Sequence, residues 1–321
     1  MKKMNNRTVV EGYLYSSNLA EKTYKETAKR PGDKYIIGSI DIATDDALTN
    51  VISVQFSFIS EPREGDSAAM RSRYETLVNI MNGTIKSVMK DGIDNAAKLQ
   101  ISSSIELNEF YSDLNGALEL VSAKRNGGGF IRSQSILNAE DQRNTFDVDM
   151  IIVGTNRMEA NEERGLPEKM TLKGYIFNYR NEIMPVEFSV LLEGAMNYFE
   201  NLEPSKTSPV FTRVKGHQIS STVTRQITEE SAFGEARVRT VTNSRKDWVV
   251  DWASPETYEF DIPETITSEE IKKALADREV MLADKKSRAA NRGNAIANTS
   301  ESNNAPAPKY TVKKTTDAFD F

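Results

Sequence analysis

The strongest constraint on this chain is an order of patterns that occurs twice. Three segments alternate with a period of two, one segment has a helical period, and two more alternate; the same order then returns. In the first copy, TVVEGYLY (8–15) sets Val10, Gly12 and Leu14 on one side. KYIIGSIDIA (34–43) does the same with Ile36, Ile40 and Ile42, after a polar, lysine-rich loop ending in Pro31 and Gly32. NVISVQFSFIS (50–60) places Ile52, Val54, Phe56 and Phe58 on one face. Between Met70 and Met89 the apolar residues Tyr74, Leu77, Val78, Met81 and Ile85 fall at helical spacing, and Gly83 predicts a break. KLQISSSIEL (98–107) and ALELVSA (117–123) close the copy. The second runs through FDVDMIIV (146–153), MTLKGYIFNYR (170–180) and IMPVEFSVLL (183–192). A short helix, GAMNYFENL (194–202), follows, then PVFTRVKGHQI (209–219) and a long hairpin ending in DWVVDWA (247–253).

Three meandering strands, a helix and two closing strands are the order of an OB-fold, a five-stranded Greek-key barrel. An immunoglobulin-like sandwich has no helix at that place. The expected fold is therefore mainly β with a few helices. Its parts are an OB-like domain over 1–140, a second with a long basic hairpin over 141–260, a C-terminal helix over 261–292 and a disordered tail over 293–321. Thr267 and Glu270 fit a capping box opening that helix. Beyond it the chain is small, polar and broken by proline, a composition that cannot build a core.

Composition removes several function classes. The 321 residues contain no cysteine, which excludes disulfides, thiolate metal sites and a cysteine nucleophile. A single histidine, His217, excludes a multi-histidine metal centre, and no nucleophile motif accompanies it, so an ordinary surface histidine is the expectation. The acidic pairs Asp147/Asp149 and Glu162/Glu163 lie on no ion-binding loop pattern. The glycines 127–129 lack the lysine and hydroxyl of a phosphate loop and read as a hairpin tip. No catalytic residue, metal or cofactor is expected, and no enzyme. The opening residues do not read as a secretory signal, and no long apolar run is present, so the expected compartment is the cytoplasm, with no membrane partner.

Aromatic and basic residues point to binding instead. Lys173, Tyr175, Phe177 and Tyr179 share one face of their strand, a combination on which nucleic-acid bases stack while phosphates pair with cations; burial under a loop or at a domain interface is the equal alternative. Between Ser205 and Trp248 lie eight cations and four acids, on a chain of net charge −6. Phe211, Arg213 and Lys215 share a face there, and Arg225, Arg237 and Arg239 fall in the long hairpin, the wall of an OB groove. Trp248 or Trp252 supplies a further ring or fills the core. Arg125 and Arg132, with Lys124 and Phe130, flank the triple-glycine tip as a second, weaker contact.

The chain ends on Asp317, Phe319, Asp320 and Phe321, a peptide suited to a basic-rimmed apolar pocket on a partner. Paired OB-like order, net negative charge, a polar linker and the tip DAFDF together resemble single-stranded-DNA-binding proteins of bacteriophage type. The resemblance implies coating of single-stranded DNA, or of RNA, without strong sequence preference during replication and recombination. It also implies recruitment of a replication or repair protein through the tip, in the host cytoplasm, with a homo-oligomer as one arrangement. This tip departs from the bacterial pattern in having two aspartates and nearby Lys313 and Lys314. The competing expectation is a virion or scaffold component whose barrels make subunit contacts.

Overall fold

A computed structural model describes residues 4–114, 117–160, 167–229, 237–262 and 265–299, with the backbone alone at 114 and over 221–229, 237–245 and 292–299. The expected tip at 317–321 lies outside the described residues.

The first barrel is built from β1 (Asn6–Ser17), β2 (Ala20–Thr23), β3 (Lys34–Ala43), β4 (Val51–Ser60), helices α1 (Ala68–Met81) and α2 (Val88–Asp91), then β5 (Lys98–Ser103), β6 (Ile105–Leu114), β7 (Ala117–Gly127) and β8 (Phe130–Ser133). β1 pairs with β3, and β3 with β4. The end of β7 runs parallel to β4, β8 pairs with β5, and β5 returns to β1. That circuit, with one parallel closure, is the OB arrangement. Val10, Ile40, Val54, Phe56, Leu99 and Ile101 fill its interior, and α1 seals it with Tyr74, Leu77 and Ile80. Ser67 caps α1 by accepting the Met70 N–H at 3.3 Å. The helical pattern breaks where Gly83 takes φ +76°, a left-handed turn that a side chain would strain.

The second barrel repeats the circuit with β9 (Asn144–Met158), β10 (Lys169–Phe177), β11 (Ile183–Val190), α3 (Glu193–Asn201), β12 (Val210–Glu229) and β13 (Arg237–Ala253). β9 pairs with β10, β10 with β11, β11 runs parallel to β13, and β12 joins β13 back to β9. Phe146 and Phe188 stack in its interior with Trp248 tilted against them, so Trp248 is a core residue, and α3 adds Met196 and Phe199. At Gly216, where β12 slips register, a Cβ would collide with the Val249 carbonyl.

The two barrels form one compact unit. β1 pairs with β9 from Asn6 opposite Val148 to Val10 opposite Asn144. The 140/141 boundary expected from sequence falls in a short turn, Glu140–Gln142. The base of the β6–β7 hairpin reaches the second barrel, with Ile105 joining its core. α4 (Ser268–Thr299) opens on the expected capping box. Thr267 Oγ1 accepts from the Glu270 N–H at 3.1 Å, and the Glu270 carboxylate accepts from the Thr267 N–H at 3.0 Å. The helix continues past residue 292, into the stretch expected to be tail. Residues 109–121 and 279–299 belong to a second unit, in which Lys285 Nζ lies 3.9 Å from Glu109 and Lys286 faces the Tyr111 ring at 5.9 Å. Among the described residues, no helix is long and apolar enough to cross a membrane.

One core assignment is corrected. Phe58, expected on the inner face of its strand, is 63% exposed. Ile36 pairs with Ile59 but Gly38 pairs with Phe56, so Ser57 and Phe58 together oppose Ile37. The bulge shifts the alternation by one residue, and Ile59 takes the inward place.

Candidate nucleic-acid interface

The second barrel does not present the expected aromatic-basic face. Phe177 and Phe211 are buried in a third apolar cluster with Met4, Ile151, Ile183 and Ile266. Tyr258 meets Phe211 edge-on at 4.9 Å, and Ile271 and Leu275 of α4 pack on the same cluster with the half-buried Tyr175. The residues after the barrel thus cover the outer end of β10, which corrects the stacking role expected of Phe177 and Phe211. Tyr179 remains 60% exposed in the turn after β10, with its hydroxyl accepting from Arg180 Nε at 2.8 Å.

The cations of this face are matched by acids. Arg213 and Lys215 stand opposite Asp149 and Asp147 on β9. Arg213 Nε donates to Asp149 at 2.8 Å, and Lys215 Nζ lies 3.7 Å from Asp147 and 4.7 Å from the centre of the Trp252 ring. The Asp149 carboxylate holds the Arg213 guanidinium more firmly charged than usual, against the effect of burial. Lys173 lies opposite Glu187, 3.7 Å away. His217 faces Asp251 at 3.0 Å on the surface. Arg225, Arg237 and Arg239 are placed by strand register only; their side chains lie outside the described residues.

The second, weaker contact also divides. Lys124 turns into the second barrel: its ammonium donates to the Glu187 carbonyl and sits 5.0 Å from the Phe188 ring centre. Burial pushes it down to about 8, against the pull of Asp247 and Glu187. Arg125 pairs with Glu106 at 3.3 Å. Arg132 and Phe130 are exposed on β8, and the Arg73 guanidinium lies 6.0 Å from the Phe130 ring centre.

The first barrel carries an arrangement that sequence reasoning missed. Phe58 stacks on Tyr35 with ring centres 5.2 Å apart, and Tyr24 lies tilted against Tyr35 at 4.3 Å. Tyr24 is fixed by a 2.9 Å hydrogen bond between its hydroxyl and that of Ser60. The rings lie on β3, β4 and the β1–β3 connection, the strand 2–3 face and first loop with which OB barrels bind oligonucleotides. Phe58 holds φ +53°, a conformation that costs a bulky residue free energy and that clusters at functional sites. Lys22, Lys25 and Lys29 are exposed beside this loop and make no ion pair among the described residues. Arg30 and Arg63 converge on Asp33, at 2.6 and 2.8 Å, and their hydrogen bonds hold its carboxyl below the ordinary range. The signals open to sequence reasoning were the lysine-rich loop and Tyr24; the bulge that turns Phe58 outward has no local mark.

No group of three or more potential metal ligands occurs among the described residues. The chain is similar in fold to the crystal structure of the wild-type single-stranded DNA binding protein from Thermus aquaticus. The TM-score is 0.44 at 10% identity, covering 80% of this chain and 96% of that one. A deletion mutant of the same Thermus aquaticus protein gives a TM-score of 0.43 at 10% identity, covering 83% of this chain and 100% of that one. No curated protein matches the chain in sequence. Residues 5–288 match the family model YorF, and the chain belongs to the YorF family.

Proposed function

We propose that this protein binds single-stranded DNA without strong sequence preference, and without catalysis or a cofactor, through the β3–β4 face of the first barrel. The observation that carries the reading is Phe58: a large ring kept at the surface, in a strained backbone, as part of a cluster with Tyr24 and Tyr35. A core does not need such a residue, whereas bases stack on exposed rings and phosphates pair with nearby lysines. On this reading the protein coats single strands in phage-type replication and recombination. The acidic-aromatic tip, Asp317 to Phe321, recruits a partner protein.

Phe58→Gly provides the test, because glycine adopts the positive φ freely and removes only the ring. Titration of the full chain against a labelled oligo-dT should show binding weaker by about 1–3 kcal/mol, the worth of one stacked base. The melting temperature should stay level or rise. Unchanged affinity in the folded variant would remove the first barrel from the binding surface.

A further inference from the structure

We infer that the far halves of β12 and β13 form an arm whose single basic face holds the phosphates of a nucleic-acid strand. This rests on the single-strand reading above and names the surface that supplies its electrostatic part. Over Ser221–Glu229 and Arg237–Arg245 the two strands pair with each other, and among the described residues no third strand joins them. Their antiparallel register is continuous, from Ser221 opposite Arg245 through Arg225 opposite Val241 to Glu229 opposite Arg237.

Residues directly opposite in an antiparallel pair share a face, and faces alternate along each strand. The register therefore gathers Arg225, Arg237, Arg239 and Arg245 on one face, with Glu229 as its only acid among the described residues. The other face carries Thr222, Thr224, Gln226, Thr228, Thr240 and Thr242 among its residues, and no charge at all. A ribbon that needed charge only for solubility, or to block edge pairing, could use both signs on both faces. Sorting one sign onto one face has a cost, since like charges on neighbouring positions of a sheet repel. A polyanion offsets that repulsion.

The spacing also fits one. At a rise of about 3.4 Å per residue, Arg237, Arg239 and the position shared by Arg225 and Val241 follow at steps of about 7 Å. Successive phosphates of an extended strand can match such a step. The arm thus lies on the barrel whose own wall cations are already paired with acids, and it supplies cations of its own.

The test compares full-length wild type with the variant R225Q/R237Q/R239Q/R245Q, each titrated with labelled oligo-dT between about 50 and 200 mM salt. Every phosphate deprived of its arginine should make the plot of log affinity against log salt shallower by about 0.7, roughly 3 for all four. Glu229→Gln, which removes the acid that shares the arginines' face among the described residues and leaves every arginine in place, should tighten binding and guards against misfolding of the quadruple variant. Phe58→Gly should weaken binding with its salt slope kept. An unchanged slope in the folded quadruple variant, or no gain from Glu229→Gln, overturns the arm while the single-strand reading stands. If wild type binds no oligonucleotide at any salt, the reading itself falls and takes the arm with it.

Discussion

The two barrels share one strand circuit and one parallel closure, yet they treat the aromatic rings on their outer surfaces in opposite ways. In the second barrel the end of β10 is sealed: Phe177 pairs in register with Ile183 and lies under Tyr258, Phe260 and the first turns of α4. In the first barrel a bulge near the end of β4 turns Phe58 out of the alternation and leaves it stacked on Tyr35 in solvent. The cations differ likewise. Arg213 and Lys215 of the second barrel face aspartates on β9, while Lys22, Lys25 and Lys29 of the first have no such partner among the described residues. A duplicated fold allows this division, because packing the second copy against its own C-terminal segment places no demand on the first.

The largest effect that tests the division is on stability. Phe177→Ala removes a fully buried ring from the third cluster and should cost about 3–5 kcal/mol, with the affinity of the folded fraction for oligo-dT unchanged. Phe58→Ala deletes the same ring from the surface and should cost far less stability but weaken binding. Chemical denaturation of the two variants side by side separates the roles. A Phe177→Ala protein as stable as wild type would mean that the second barrel is not sealed.

Local order was legible in the residues, while pairing across the molecule was not. The β-β-β-α-β-β patterns, the helix break at Gly83 and the Thr267–Glu270 capping box each rest on neighbours within a few positions, and the structure contains all three. Phe58 was misplaced because one extra residue in β4 inverts every later side of the strand, and nothing in VQFSFIS marks it. Arg213 and Lys215 looked like free groove cations because the aspartates that meet them lie more than sixty residues earlier. The i, i+2 spacing of Asp147 and Asp149 mirrors theirs, but only the β9–β12 register makes the two pairs neighbours. The ring-bearing strand around Tyr175 remained ambiguous between open and covered, since the segment that covers it follows the barrel by many residues.

A second prediction concerns Lys124, which joins the hairpin base of the first barrel to the second. Burial holds its ammonium down to about 8, so the folded chain releases this proton before the unfolded chain does. Below about pH 8 both states carry the charge and the full penalty of burying it is present. As pH rises from about 8 to the ordinary lysine value, stability should rise with it. Lys124→Met should raise stability at neutral pH by up to about 3 kcal/mol and abolish that rise. The opposite pattern, with stability unaltered and DNA affinity abolished, would return Lys124 to the binding surface.

The smallest effect sharpens the comparison most, because it sets the wall of the second barrel against the arm on the same strands. Arg213→Gln leaves the Asp149 carboxylate, whose side chain is 10% exposed, with the Asn5 N–H at 2.7 Å as its remaining close partner. The arginine side of the pair is part-exposed and Asp149 keeps the Asn5 N–H, so the cost should be about 1 kcal/mol, and Asp149→Asn in the same chain should recover part of it. A guanidinium already neutralised by a carboxylate has little left to offer a phosphate. The salt slope of DNA binding should therefore stay at the wild-type value in Arg213→Gln, whereas each arginine removed from the arm should make it shallower. A slope reduced by about 0.7 in Arg213→Gln would show that DNA displaces Asp149, and that the wall of the second barrel is part of the binding path after all.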